Sequence, residues 1–268
     1  MSGRVRPPAV AGMFYPESPG ELTSMLEDLL AEAPPPPVSA RAPKVVIAPH
    51  AGYVYSGPTA AMAFQALAAR SRPIETVVLL GPAHYVPVRG LALPGAEYFA
   101  TPLGKVKVNP EGAGAALRLP QVRIQPEAHA REHSLEVELP FLQRLLGEEI
   151  EIVPLVVGEA DGEEVAEVLE QLWGGEETAI VISSDLSHFL SYDAAREADR
   201  RTADEILQLG GPLGPRQACG AMPINGLLEI ARQRGLEPEL LDLRNSGDTA
   251  GDHSRVVGYG AFAFHEPT

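Results

Sequence analysis

The chain has 268 residues, enough for a sizeable core within the length range of a single α/β domain. Its 21 Lys+Arg stand against 36 Asp+Glu, a formal net charge of -15, which argues against nonspecific nucleic-acid or anionic-membrane binding. The one cysteine, Cys219, excludes an internal disulfide, a cysteine-ligated zinc cluster and a three-cysteine iron–sulfur cradle.

Residues 1–17 carry Pro and Gly around the apolar run Ala9-Val10-Ala11-Gly12-Met13-Phe14-Tyr15, which reads as an ordered arm packed on the body. Met1 to Tyr15 lacks a signal-peptide core, and no apolar run approaches spanning length, so a soluble cytoplasmic protein is expected. Ser18-Pro19-Gly20-Glu21 starts a helix with the elements of a capping box, and Leu22, Met25, Leu26, Leu29 and Leu30 give it one apolar face. The prolines at 34–37 form a stiff connector, too short to argue a domain boundary.

Lys44 to Ala48 is a buried strand that stops at Pro49-His50, followed by a Gly- and Tyr-containing loop and a helix over about 58–69. Thr76 to Leu80 repeats the pattern and ends in Gly81-Pro82-Ala83-His84. Strands joined by a helix tend to lie parallel and near one another, so both histidines are expected at one sheet edge, where open α/β sheets bind ligands. Residues 89–109 read as short strands with some antiparallel pairing, and Pro110 to Leu117 as a short helix.

Glu127 to Leu146 has a helical leucine stripe that Pro140 should break or kink. Upstream, His129 and His133 are four apart, but Ala130 stands where a zinc protease needs Glu. Glu132 and Glu136 would share a face if the helix has begun; a solvated face and a site-lining role weigh equally. Ile152 to Val157 is a strand and Gly162 to Trp173 an acidic amphipathic helix. Thr178 to Ser183 is the fourth buried strand, ending in Ser184-Asp185-Leu186-Ser187-His188. Helices follow over Tyr192 to Leu209 and within Cys219 to Arg234, then a strand at Leu240 to Leu243, the segment Asn245–His253 and a final strand at Val256 to Phe264. Cys219 could be activated at a helix start, but a small buried residue is the better reading.

Three histidines, His50, His84 and His188, thus follow buried strands. Each alone could be structural, but imidazole is the commonest transition-metal ligand and a carboxylate often completes the set. Asp185 and Asp248 are the carboxylate candidates, ahead of Glu132 and Glu136. Asp185, three residues before His188, suits the task of orienting that imidazole. Gly247 would let the chain turn and present Asp248 beside His50 and His84, so Asp248 is expected nearer than Asp185 to the midpoint of those two rings. No Walker loop, dinucleotide fingerprint or Gly-x-Ser-x-Gly elbow is present.

Five motifs carry a resemblance: Ala48-Pro49-His50-Ala51-Gly52-Tyr53, Gly81-Pro82-Ala83-His84, Glu132-His133-Ser134-Leu135-Glu136, Ser183-Ser184-Asp185-Leu186-Ser187-His188 and Ala218-Cys219-Gly220. In this order they resemble the Memo-like family, known in prokaryotes as AmmeMemoRadiSam system protein B, over nearly the whole chain. The resemblance implies one α/β domain over 1–268 with a largely parallel or mixed sheet, similar to class III extradiol dioxygenases. It implies that His50 and His84 match metal-binding histidines and that His188 acts in acid–base chemistry with Asp185, with His133 and Glu136 as further members. Relatives can place a cysteine near the start of the Asn245–His253 segment; dioxygenases use a carboxylate, and Asp248 is the choice for this chain. The implied cofactor is a divalent or redox metal, iron before copper or zinc, and the implied partner a radical-SAM protein. Three functions stay open: a metal-dependent redox or dioxygenase-type enzyme, a binding module whose cleft takes a small molecule, a peptide or a partner protein, and a metal-assisted hydrolase using His188, Asp185 and Glu136.

Overall fold

A computed structural model describes residues 3–34, 42–69 and 72–267. Most of the connector at 34–37 lies outside these residues, so its expected stiffness has no structural counterpart to compare. Among the described residues the strands are β1 (Val5–Arg6), β2 (Val45–Ala48), β3 (Thr76–Pro82), β4 (Leu91–Leu93), β5 (Tyr98–Thr101), β6 (Gly104–Val108), β7 (Val122–Ile124), β8 (Glu151–Val157), β9 (Thr178–Ser183), β10 (His188–Leu190), β11 (Glu237–Asn245) and β12 (Val256–His265). The helices are α1 (Pro19–Glu32), α2 (Tyr53–Ala68), α3 (Pro110–Ala116), α4 (Pro126–Ala130), α5 (Leu139–Leu146), α6 (Gly162–Gln171), α7 (Tyr192–Leu207) and α8 (Ala221–Arg234).

The strands form one open, mixed sheet in the order β1-β5-β6-β8-β3-β9-β2-β12-β10, with β11 also on β12 and β4 joining β7 to β8. Its centre, β8-β3-β9-β2, is parallel, and β12 closes antiparallel against β2. Central strands covered on both faces need apolar side chains at every position, which explains their unbroken runs of Val, Ile and Leu. The two-residue period then divides them. Val46 and Ala48 join the core under α1, α2 and α5, with Leu26, Phe64 and Phe141. Val45 and Ile47 join the opposite core under α6 and α8, with Leu169 and Leu227.

Three local expectations are corrected. Ser18 is the N-cap of α1 but its side chain makes no capping bond, so the box with Glu21 does not form. Helix α2 begins at Tyr53 and carries Pro58 inside it, several residues before the expected start. The segment from Glu127 to Leu146 is not one helix: α4 ends at Ala130, a turn and a short 3-10 stretch follow, and Pro140 sits in the first turn of α5, where its missing N–H costs nothing. No described helix is long and apolar enough to cross a membrane.

Candidate metal centre

Strands β3, β9 and β2 are neighbours and parallel, so their carboxyl ends deliver His84, Ser183-Ser184-Asp185 and His50 side by side. His50 is buried, and its backbone N–H donates to Asp185 Oδ1 at 2.9 Å. Its Nδ1 lies 2.7 Å from Ser183 Oγ, which also stands 2.6 Å from Ser134 O and 2.7 Å from Glu138 Oε1. A hydroxyl has one proton and two lone pairs. Burial raises the Glu138 carboxyl well above the usual range. The one Ser183 proton is directed to Ser134 O and Glu138 Oε1, so at His50 Ser183 Oγ accepts, from Nδ1–H. That arrangement leaves the lone pair of His50 on Nε2.

Glu132 fixes the second histidine. Its Oε2 accepts the His84 backbone N–H at 2.6 Å and its Oε1 stands 2.8 Å from His84 Nδ1. Oε1 also accepts the N–H groups of His133 and Ser134 at 2.9 and 3.0 Å. Burial pushes Glu132 up, but the bond to and charge of His84, with the backbone donors, outweigh it and bring the carboxyl down to about 2. The loop carrying Glu132 and His133 can approach β3 because Gly81 has no side chain: a Cβ there would meet Ser134 Oγ at 2.8 Å and Leu135 Cδ2 at 2.9 Å.

The third histidine of the cluster is His133. Its ring stacks on His84 at 4.7 Å and meets His50 edge-on at 5.4 Å. One nitrogen from each of His50, His84 and His133 falls within 4.8 Å of the others, an arrangement able to hold one ion. Burial, then the neighbouring His84, lowers His50 to about 3. Burial, then His50 and His84, lowers His133 to about 4. Both rings are therefore neutral near pH 7, the ligating form of imidazole, and the donor set fits a borderline transition metal rather than calcium or magnesium.

His188 starts β10 and is exposed; its Nδ1 stands 2.8 Å from Leu186 O, so Nδ1 carries the proton and Nε2 is free. The next residue, Phe189, has φ +62° and a ring 61% exposed, a strained conformation beside the site. Asp185 is buried, and burial raises its carboxyl despite the His50 N–H and the nearby His188.

Two expected members lie elsewhere. Asp248 is exposed; it accepts from Tyr192 OH at 2.5 Å and from Asn245 N at 2.9 Å, and so caps the turn after β11. Asp185, not Asp248, touches His50, which reverses the expected ranking. The physical reason is that Asn245-Ser246-Gly247-Asp248 satisfies its own backbone, so its carboxylate turns to α7. Glu136 is fully buried but holds the N-terminal arm: it pairs with Arg6 and accepts from Ala9 N, Val10 N and Tyr15 OH. Since the chain leaves helical geometry between them, Glu132 and Glu136 do not share a face. The hydrolase arrangement of His188, Asp185 and Glu136 is therefore not assembled.

The arm also borders the centre. Phe14 packs on His133 at 4.8 Å, and Phe14 O accepts Tyr53 N at 2.8 Å. On the other side, His84, Tyr85, Val88, Met222 and Cys219 line a cleft of about 550 Å³. Cys219 Sγ stands 3.4 Å from His50 Nε2 and accepts Asp185 N–H at 3.2 Å. Burial, then the Asp185 carboxylate, pushes its thiol up to about 12. A helix-start reading missed this placement; Gly220 was the available signal, because a Cβ there would meet Ser184 Cβ at 2.7 Å and Ser183 O at 2.8 Å.

A sequence profile described as Memo-like protein matches residues 6–263. The chain belongs to the Memo-like family. A MEMO1 family protein of Ignicoccus hospitalis is 37% identical, covering 98% of this chain and 99% of its own. One from Methanopyrus kandleri is 37% identical over 97% of this chain and 98% of its own, and one from Aquifex aeolicus 36% over 96% and 97%. The Memo-like match thus takes in the arm, the three histidine-bearing segments and β12 together.

Proposed function

We propose that this Memo-like protein binds one divalent redox metal at His50, His84 and His133 and uses it in an oxidation or dioxygenase-type reaction. The observation that carries the reading is the convergence of three imidazoles at one sheet edge, two of them oriented through Nδ1 by Ser183 and Glu132. Imidazole sites suit iron, copper and zinc; the likeness to extradiol dioxygenases ranks iron first. Held by His50, His84 and His133, such an ion would supply electron transfer. The chain's own part is to hold the His50 and His133 rings neutral, to cover the centre with the arm at Phe14, and to move a proton at His188 Nε2, which the Leu186 carbonyl leaves bare. Asp185 holds the His50 main chain and lies close enough to His188 for that imidazole to draw its carboxyl down against burial. Partnership with a radical-SAM protein is part of the proposal and rests on the family resemblance alone.

The test is metal analysis of untagged protein purified without oxygen, followed by oxygen uptake with a panel of catechols. One metal per chain, uptake that requires it, and slowing by about a hundredfold in His188→Ala would support the reading. Metal-free protein that takes up no iron, copper or zinc would end it. A second reading is favoured by Tyr85 and Phe189, 47% and 61% exposed, each next in sequence to a site histidine: a cleft that binds a peptide or partner. Metal binding without oxygen uptake on any substrate, with a co-purifying chain retained by His188→Ala, would favour that alternative.

A further inference from the structure

We propose that Arg6 is a positioning residue for the metal centre: its guanidinium fixes the loop that presents Glu132 and His133, and so couples docking of the arm to binding of the ion. The inference rests on the three-histidine reading and adds to it a residue far away in sequence.

The first argument is where the bonds go. Residues 131–135 lie between α4 and the short 3-10 stretch, so no continuing α-helix supplies donors to the carbonyls at the end of α4 and just beyond it. Arg6 supplies them. Its Nε donates to His129 O at 3.0 Å, Nη2 donates to Glu132 O, and Nη1 pairs with Glu136 Oε2. Glu132 O belongs to the peptide group that joins Glu132 to His133. The N–H of the same peptide group donates to Glu132 Oε1 at 2.9 Å. Both sides of that rigid plane are therefore pinned, which sets the direction in which His133 leaves it.

The second argument is that Arg6 is itself fixed. It is buried, it ends β1 in register with Phe99 of β5, and its Cζ lies 5.3 Å from the centre of the Phe99 ring. The guanidinium thus braces the ligand loop against the edge of the sheet. The rest of the arm closes on the same segment. Glu136 accepts from Ala9 N, Val10 N and Tyr15 OH, and the Phe14 ring packs on His133 at 4.8 Å. One loop serves both the arm and the ion, so whatever orders it for one favours the other.

Arg6→Lys separates the fork from the charge. A lysine keeps the cation for Glu136, but donors on one nitrogen cannot span acceptors at 129, 132 and 136. Metal-free protein is titrated with zinc(II) against a chromophoric chelator. Arg6→Lys should bind zinc at least about tenfold more weakly, the lower end of the range for residues that orient metal ligands. Leu227→Ala, on α8 in the opposite core, lowers stability without touching the loop and should bind zinc as the wild type does. In wild-type protein, zinc should slow chymotrypsin cleavage after Phe14 by a factor of the same order, because coupling is reciprocal. If Arg6→Lys does not fold, these cleavage rates decide alone. Wild-type zinc affinity in Arg6→Lys, an equal loss in Leu227→Ala, or an arm cut at the same rate with and without zinc would each overturn the proposal and leave the histidine centre standing. Wild-type protein that takes up no zinc, and no iron or copper in its place, would end both.

Discussion

Glu132 grips His84 twice, at the backbone N–H through Oε2 and at Nδ1 through Oε1. The same Oε1 takes the backbone N–H of His133, so one carboxylate sets the positions of two members of the cluster. A carboxylate that orients a ligating imidazole is worth about 10–100-fold in metal affinity. Glu132→Gln should therefore weaken metal binding by about that factor in a competition titration. Unchanged affinity would mean that His84 is held by its strand alone.

His133 stands in the group able to hold an ion, where Asp248 was expected, and Asp248 caps a turn. His133→Ala should abolish stoichiometric metal binding, whereas Asp248→Asn should leave it intact. Metal content measured on both variants checks this, and loss of metal in Asp248→Asn would restore the carboxylate to the site.

Glu136 meets Arg6, two arm N–H groups and the Tyr15 hydroxyl in a fully buried position. Removing one partner strands the other charge, at a cost of about 3–5 kcal/mol. Arg6→Ala should lower stability by about that amount in urea unfolding and expose the arm to proteases. A loss within about 0.5 kcal/mol, the range of ordinary surface changes, would show that the pair contributes little.

The lowered values of His50 and His133 make stability depend on pH. In the unfolded chain these rings take up protons near pH 6.5, in the folded chain only near about 3 and about 4. Between those limits the unfolded state binds more protons, so stability is full above pH 6.5 and falls as the pH drops toward 4. The metal-free protein should melt progressively lower from pH 7 to pH 4.5, and His133→Asn should show a shallower decline. Equal slopes in the two proteins would remove His133 as a source.

His50 and His84 were legible because a buried run ending in a histidine states both the strand and the edge at which its residue emerges. The side-by-side placement of β2, β9 and β3 follows from parallel crossovers. His133 was harder to see as a ligand because it follows no strand: its loop reaches the edge through the approach at Gly81, a contact between segments far apart in sequence. Glu136 misled for a related reason. A buried glutamate beside a histidine motif reads as chemistry, and only the partner on residue 6 shows it to be an anchor. Asp248 follows a strand as His50 and His84 do, but that strand, β11, lies outside the parallel centre, antiparallel on β12.

The place of β12 sets a schedule for biosynthesis. This strand is the last of the described ones, yet it lies beside β2, whose end carries His50, and its Gly258 O accepts the Leu186 N–H next to Asp185. Pairing of such sequence-distant segments comes late in folding. While residues 256–265 remain inside the ribosome, one edge of β2 is bare and the 185–188 loop lacks its support. The nascent chain can therefore form its early helices but not a finished centre, and tight, selective loading of an ion belongs to the period after β12 has paired with β2.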